Sequence, residues 1–202
     1  MAFTYFFRDM HTLEHLTKAV VPHISGRSKV RFWDAGCAMG QEPFSLAIMF
    51  AENLGHFAFK NIHIDATDID GSNLFEKYFI DGIYPEVEIK RIPKEIIKKY
   101  FSLNGKPGHF QISDSIRGHV SYRKHDLLSL EPVGDNYSLI LCKNVLLHFS
   151  PSQRAEVVRM FHNSLGPGGF LATEQTQKLP AGTEHLFKQV TGDAQLFQKV
   201  EA

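Results

Sequence analysis

Hydrophobic and polar residues alternate along the chain with the two periodicities of regular secondary structure. Apolar residues at helical spacing predict helices, while short apolar or alternating runs predict strands. The predicted helices cover residues 12–21, 42–54, 94–101 and 152–165, with a further helix beginning near Ser72, and the predicted strands cover residues 29–35, 61–67, 109–112, 119–123, 137–142, 170–173 and 196–200. This succession of strands and helices predicts an α/β fold with a mainly parallel sheet.

Residues that start or stop helices refine these boundaries. Pro22 is expected to end the first helix, and Gly55 is expected to end the second. Asp70 is expected to cap the helix that begins near Ser72. The run from residue 137 to 142 is the most apolar strand, so we expect it at the centre of the sheet, covered on both faces.

The regular pattern breaks down between residue 82 and about residue 121. Prolines and glycines punctuate this stretch, and its helix and two predicted strands are short. The pattern predicts an inserted β-subdomain, or a β-hairpin with a preceding helix. The 202 residues as a whole fit a single domain that carries this insertion.

Composition excludes several classes of protein. Lysine plus arginine and aspartate plus glutamate each number 22, and this balance argues against nucleic-acid binding by bulk charge. Two cysteines, Cys37 and Cys142, cannot build a disulfide framework and favour reduced thiols in a cytoplasmic protein. Membrane insertion is not expected, because no apolar run reaches the roughly 20 residues that cross a bilayer. His11 and His15 lie four positions apart but lack a third ligand, so no metal site is expected.

The first predicted strand runs into a turn that begins at Gly36 and ends at Gly40. Glycine at a strand-to-helix turn lets a ligand approach the backbone closely, although a tight turn can require glycine without any ligand. The spacing Gly-x-x-x-Gly differs from the dinucleotide-binding fingerprint, and no Gly-Lys-Ser/Thr phosphate loop follows. The turn alone therefore leaves a binding role and a purely structural role open.

Acidic residues stand at or just after the ends of three predicted strands, namely Asp34, Asp68 and Asp126. A carboxylate at such a strand end can accept hydrogen bonds from both hydroxyls of a ribose. Helix capping is the alternative for Asp68, but Asp70 already fills that role. Three carboxylates without a basic phosphate cradle indicate a nucleoside attached to a cationic group, such as S-adenosyl-L-methionine (SAM), and not a pyrophosphate cofactor.

Five segments, in this order, resemble the motifs of the CheR family. They are TYFFRD at 4–9, WDAGCAMGQEPFSL at 33–46, ATDID at 66–70, GIY at 82–84 and CKNVLLHF at 142–149. CheR proteins are SAM-dependent methyltransferases that esterify glutamate side chains of chemotaxis receptors. The resemblance implies a class I methyltransferase (Rossmann-like) α/β fold with helices on both faces of the sheet and a β-subdomain that docks a receptor tail in some members. It also implies SAM as cofactor, S-adenosyl-L-homocysteine as product and no metal.

The resemblance also implies roles for individual residues. Arg8 and His148 would be catalytic, with Arg8 beside the transferred methyl group and His148 facing the acceptor. The cofactor-binding set would comprise Thr4 and Arg8 at the methionine end, Gly36 in the turn, Glu42, Asp68 at the ribose, Asp126 and Leu127 beside the adenine, and Lys143 and Asn144 beneath the methionine part.

The chain departs from the family pattern at four of its motif positions. Gln41, Asp126, Lys143 and His148 stand where the family usually has Glu, Asn, Arg and Tyr. Only seven residues precede Arg8, so we expect the family's N-terminal helical domain to be missing. The favoured function is methylation of glutamate carboxylates in the cytoplasmic domain of a chemotaxis receptor or in a related protein. Methylation of another acceptor, and a non-catalytic role as a SAM-binding sensor or adaptor, are the alternatives.

Overall fold

The computed structural model describes residues 4–201 and contains a large sheet covered by helices. Its strands are β1 (Val30–Ala35), β2 (Ile62–Asp68), β3 (Ile83–Pro85), β4 (Phe101–Leu103), β5 (His109–Ile112), β6 (Val120–Lys124), β7 (Tyr137–Cys142), β8 (Leu165–Thr173), β9 (Phe187–Gln189) and β10 (Leu196–Lys199). Its α-helices are α1 (Met10–Ile24), α2 (Gln41–Phe59), α3 (Phe75–Asp81), α4 (Glu86–Ile89), α5 (Lys94–Tyr100), α6 (Asp114–Arg117) and α7 (Pro151–Ser164). Short 3-10 turns cover Leu127–Ser129, Leu146–His148 and Glu184–Leu186. Across residues 4–201, none of the helices combines the length and the apolar character needed to cross a membrane.

The large sheet has the strand order β6-β2-β1-β7-β8-β10-β9. Strands β6, β2, β1, β7 and β8 pair in parallel, while β10 is antiparallel to both β8 and β9. The prediction of an α/β fold with a mainly parallel sheet is confirmed. The chain order reverses between β1 and β7, and open α/β sheets bind their ligands beside the carboxyl ends of the strands at such a point.

Buried apolar residues form a core on each face of this sheet. On one face, Leu16 of α1 and Ile48 of α2 share a cluster with Phe32 of β1. On the other face, Phe161 of α7 packs edge-on against Trp33 of β1, with their ring centroids 5.2 Å apart. All six residues of β7 are buried between β1 and β8, as its apolar sequence predicts.

Residues 83–117, here called the small subdomain, carry a second sheet with the order β3-β5-β4, in which both pairings are antiparallel. The strand predicted at 119–123 is present as β6. The prediction that it belongs to the inserted subdomain is wrong, because β6 is a strand of the large sheet. It pairs in parallel with β2 at the edge of the large sheet, where Val120 lies beside Ile64. Strands β3 and β4 were not predicted, because three residues are too few to show a strand periodicity.

Several helix boundaries differ from the predictions. Helix α1 continues through Pro22, and α2 continues past Gly55, which interrupts it with φ 73° and ψ 167°. Helix α3 begins three residues later than predicted. Asp70 still serves its N-terminus, because its carboxylate accepts hydrogen bonds from the amides of Leu74 and Phe75 at 3.3 and 3.0 Å.

Candidate active site

A cavity of about 590 Å³ lies at the carboxyl ends of β1, β2, β6 and β7. Its walls come from the segments that follow these four strands, together with the N-terminal segment before α1 and the start of α2. Every residue predicted for the site lines this one cavity, namely Thr4, Arg8, Gly36, Glu42, Asp68, Asp126, Leu127, Lys143, Asn144 and His148. The fold therefore brings together residues that lie up to 144 positions apart in the sequence, while their individual roles stay predictions.

The turn between β1 and α2 depends on glycine at both of its ends. Gly36 has φ 114°, and a side chain there would collide with Val145. Gly40 has φ 93°, and a Cβ there would lie 2.8 Å from the hydroxyl oxygen of Tyr84. Both positions therefore need glycine for the left-handed backbone and for the space, whether or not a ligand is present.

Asp68 is tied to the backbone on both sides of its carboxylate. Its Oδ2 accepts a hydrogen bond from the amide of Ala38 at 3.0 Å, and its Oδ1 accepts one from the amide of Asp70 at 3.0 Å. Asp70 caps the following helix, as predicted, while Asp68 bonds to backbone amides on either side of its carboxylate. An ionised carboxylate offers about four acceptor sites, so two remain for a ligand in the cavity.

Asp126 and Leu127 combine a polar and an apolar contact at the end of β6. The Asp126 carboxylate accepts a hydrogen bond from the amide of Leu128 at 2.9 Å and so caps the short 3-10 turn that follows. Leu127, the first residue of that turn, is buried. The pair therefore offers an acceptor beside an apolar surface, which suits one edge and one face of a planar base.

Lys143 is a buried cation that holds three parts of the site together. Its Nζ donates to Oε2 of Glu42 at 3.0 Å, forms an ion pair with Oδ2 of Asp9 at 3.2 Å and donates to the carbonyl oxygen of Arg8 at 3.2 Å. Burial lowers the pKa of Lys143, but the nearby charges of Glu42 and Asp9 outweigh burial, and the net pKa is raised. The lysine is therefore charged at neutral pH, and its three N–H donors have protein partners.

Asn144 is positioned by a residue that the sequence analysis missed. Its backbone is left-handed, with φ 59°, and its amide donates to Oε2 of the buried Glu174 at 3.0 Å. Glu174 follows β8, the strand that pairs with β7. Its position just after a strand of the sheet is the signal that could have identified it.

The N-terminal segment that carries Thr4 and Arg8 is anchored by its neighbours. The amide of Phe7 donates to Oγ of Ser45 in α2 at 2.8 Å. The ring of Phe6 packs edge-on against Tyr84 of the small subdomain, with a centroid distance of 4.8 Å. These contacts hold the segment against α2 and the small subdomain.

His148 lies in the 3-10 turn after β7 and contributes to the cavity wall there. Its neighbours Leu147 and Phe149 line the cavity with it, and 44% of Leu147 is exposed. This wall therefore combines an imidazole with apolar side chains that reach the surface.

Asp34 does not line the cavity, contrary to the expectation for three acidic strand ends. Its side chain is fully buried, and neither carboxylate oxygen accepts a hydrogen bond from any residue within 4–201. Burial raises the pKa of Asp34 well above its usual range, and the charges of Glu42 and Asp68 add to this while Lys143 opposes it. Asp34 is therefore held toward its neutral, protonated form.

The remaining wall residues were not singled out from the sequence. They are Ala38, Thr67, Ile69, His125, Leu128, Val145, Leu147 and Phe149. Each stands within two positions of a predicted site residue in the sequence, so proximity to the motifs was the available signal.

Comparison with known proteins gives a consistent result across nearly the whole chain. The family model "CheR methyltransferase, SAM binding domain" matches residues 2–196. Chemotaxis protein methyltransferase 1 of Pseudomonas aeruginosa is 32% identical over 188 residues, which cover 88% of this chain and 67% of the relative. The chemotaxis protein methyltransferase of Borreliella burgdorferi is 32% identical over 177 residues, which cover 83% of this chain and 61% of the relative. The similarity spans every segment that lines the cavity.

Proposed function

The chain belongs to the CheR methyltransferase family through its SAM-binding domain, and we propose that it transfers the methyl group of SAM to glutamate carboxylates in the cytoplasmic domain of a chemotaxis receptor. One observation carries the proposal: the ten residues predicted for cofactor and acceptor line a single cavity at the switch point of the sheet. A cytoplasmic location fits the two free, buried thiols of Cys37 and Cys142, because that compartment keeps thiols reduced.

The chemistry of the cavity wall fits SAM. The volume of about 590 Å³ lies in the usual range for sites of small ligands. Glu42, Asp68 and Asp126 supply carboxylate acceptors for hydroxyl, amino and ammonium groups, and their negative charge favours a cationic ligand.

Each wall segment would hold one part of the cofactor. Asp68 would accept hydrogen bonds from the ribose hydroxyls with the lone pairs that the backbone amides leave open. Asp126 and Leu127 would hold the adenine between an acceptor and an apolar surface. Thr4 and Glu42 would bind the methionine part, with Lys143 beneath them fixing the Glu42 carboxylate.

The reaction needs positioning more than acid–base chemistry. When bound, SAM would supply an electrophilic methyl group on a positively charged sulfur. A lone pair of the acceptor carboxylate oxygen would form the new O–C bond, and the electron pair of the broken S–C bond would stay on sulfur, which becomes the neutral thioether of S-adenosyl-L-homocysteine. A glutamate side chain has an ordinary pKa of about 4.3, so it is already a nucleophile at neutral pH and no general base is required. Arg8 would orient the acceptor carboxylate in line with the methyl group, and His148 with Leu147 would bound the acceptor side.

Two measurements test this function in sequence. Calorimetric titration with SAM and with S-adenosyl-L-homocysteine tests cofactor binding, and absence of binding at millimolar concentration would contradict the proposal. Transfer of tritiated methyl from SAM to receptor-rich membranes, with base-labile release as methanol, tests carboxyl methylation. Base-stable label would instead indicate another acceptor, and binding without transfer to any protein would indicate a SAM-binding sensor or adaptor.

A further inference from the structure

A tyrosine of the small subdomain reaches the turn between β1 and α2. Tyr84 lies on β3 and is fully buried. Its hydroxyl donates a hydrogen bond to the carbonyl oxygen of Met39 at 2.7 Å. Met39 stands between Gly36 and Gly40, so the small subdomain directly holds the turn that borders the cavity.

A second hydrogen bond joins the same two parts of the molecule. Nε2 of Gln41, the first residue of α2, donates to Oε2 of Glu88 in α4 at 2.7 Å. Gln41 is fully buried. The end of the turn and the start of α2 are therefore both fastened to the small subdomain.

The turn combines an unusual backbone conformation with one internal backbone hydrogen bond, from the amide of Gly40 to the carbonyl oxygen of Cys37 at 3.1 Å. Its backbone is left-handed at Gly36 (φ 114°), at Ala38 (φ 46°) and at Gly40 (φ 93°). Such conformations are costly for a residue with a side chain, and they persist only where surrounding contacts impose them. The Tyr84 hydroxyl occupies the space beside Gly40 that a Cβ would fill, so the hydrogen bond and the glycine depend on one another.

The shape of the turn sets the direction of a cavity residue. The amide of Ala38 donates to the carboxylate of Asp68, so a displaced turn would release one of the two bonds that orient this carboxylate. The ring of Tyr84 also packs against Phe6, two residues before Arg8. One side chain thus contacts the turn and the segment that carries two other cavity residues.

We propose that Tyr84 is a positioning residue for cofactor binding, through which the small subdomain holds the β1–α2 turn and Asp68 in their binding geometry. The proposal rests on the proposed function in that the ligand is SAM or its product. It concerns a residue outside the cavity wall, so Tyr84 acts on the ligand through the turn and not by contact.

The test compares two tyrosines of the small subdomain whose hydroxyl groups donate hydrogen bonds to residues outside it, Tyr84 to the β1–α2 turn and Tyr100 to α2. Tyr84→Phe keeps the buried ring and removes only the hydroxyl. Tyr100→Phe is the matched control, because its hydroxyl donates to Oε1 of Glu52 in α2 at 2.6 Å, away from the cavity. We expect Tyr84→Phe to weaken binding of S-adenosyl-L-homocysteine about tenfold, because the substitution leaves the carbonyl oxygen of Met39 without this hydrogen-bond donor. We expect Tyr100→Phe to change the affinity less than twofold.

Hydrogen exchange supplies a readout that needs no ligand. The amides of Gly36, Ala38 and Gly40 all donate within or beside the turn, and we expect them to exchange about tenfold faster in Tyr84→Phe than in the wild type and in Tyr100→Phe. Unchanged exchange in Tyr84→Phe, or equal effects of both substitutions on exchange and affinity, would overturn the proposal. Absence of ligand binding by the wild type would refute the proposed function, while the exchange comparison would still decide the role of Tyr84.

Discussion

Some residues that line the cavity keep polar groups open to it, whereas others use their polar groups to hold neighbouring segments in place. Lys143 stands on the wall, yet all three of its donors are directed to Glu42, Asp9 and the carbonyl of Arg8. A lysine in this position acts as a compact charge that ties the N-terminal segment to α2. It does not present the planar, bidentate donor pair that an arginine would offer.

Arg8 and Asp68 are expected to affect different steps. Asp68→Ala removes the carboxylate proposed to accept from the ribose and frees the amide of Ala38, so the affinity for SAM should fall by about a hundredfold or more. Arg8→Ala should lower turnover by about a hundredfold while changing the affinity for SAM less, because the proposed role of the arginine is to orient the acceptor. Calorimetry and the tritiated-methyl assay measure the two quantities.

Arg91→Ala is the control for the arginine. Arg91 stacks on the ring of Tyr5 at 5.6 Å, as Arg8 does at 6.0 Å, but does not line the cavity. Full methyl transfer by Arg8→Ala, or equal losses in the two arginine variants, would remove the role assigned to Arg8.

Asp34 leads to a prediction about stability and pH. Because its folded-state pKa is raised above the ordinary value of 3.8, the native state binds the proton more tightly than the unfolded chain. The free energy of unfolding of the wild type therefore decreases as the pH rises from about 4 toward the folded-state pKa, because ionising Asp34 costs more in the native state than in the unfolded chain. Asparagine has nearly the shape of the protonated acid but does not ionise. The melting temperature of Asp34→Asn minus that of the wild type should therefore increase from pH 4 to pH 8.

Thermal unfolding at several pH values checks this expectation. Asp135→Asn, at an aspartate whose side chain is 92% exposed, should give a curve parallel to that of the wild type. A parallel curve for Asp34→Asn as well would show that Asp34 ionises without cost in the native state.

Among the elements, three strands are joined by one polar network on the sheet. Arg31 of β1 donates to Oδ2 of Asp65 in β2 at 2.6 Å, and the hydroxyl of Tyr137 in β7 donates to the same oxygen at 2.8 Å. Burial raises the pKa of Asp65, but hydrogen bonds from His63, Tyr137 and Arg31 outweigh burial and lower it to about 2. The central strands therefore share an ionised carboxylate.

Asp65→Asn is expected to destabilise the protein by about 1–2 kcal/mol at pH 7, discounted for partial exposure of the group. Since the folded pKa is depressed, this stabilisation is present above pH 4 and is lost as the pH falls toward 2. Urea unfolding at pH 7 and pH 3 measures the difference, which should shrink at the lower pH. Asp114→Asn, at an 88% exposed aspartate paired with Arg117, should cost much less, and an equal cost would contradict the network's role.

At the scale of the whole molecule, the N-terminal segment connects the small subdomain to helix α2, because Phe6 packs against the subdomain and Phe7 bonds to Ser45. Phe6 is 3% exposed and packs edge-on against Tyr84 and Phe101, at centroid distances of 4.8 and 5.4 Å. The same segment carries Thr4 and Arg8 to the cavity. Packing between subdomain and sheet is therefore part of the construction of the site.

Phe6→Ala should lower the free energy of unfolding by about 3–4 kcal/mol and reduce methyl transfer more strongly than Phe57→Ala. Phe57 is 85% exposed, so its truncation should change stability by less than about 0.5 kcal/mol. Urea unfolding and the transfer assay, run below the unfolding midpoint of the variant, measure both effects. Equal free energies of unfolding for the two variants would show that packing of Phe6 against the small subdomain does not stabilise the protein.

The sequence by itself determined the fold class and, through the resemblance of its motifs to the CheR family, ten of the residues that meet at the cavity. Long periodic segments such as α2 and β7 carry their structure in local spacing, and motifs placed after parallel strands must meet at one edge of the sheet. Elements of three residues, such as β3 and β4, carry no such period, and β6 could be assigned to its sheet only once its pairing with β2 was visible.

Only the tertiary structure decided what each side chain is free to do. Asp34 and Asp68 look alike as acidic strand ends, yet one is buried without a hydrogen-bond partner within residues 4–201 and the other lines the cavity with both oxygens bonded. Lys143 bonds to a carbonyl 135 positions away, and Tyr84 bonds to one 45 positions away. Local periodicity follows from backbone geometry, whereas burial and hydrogen-bond partners depend on contacts between distant segments, which only packing brings together.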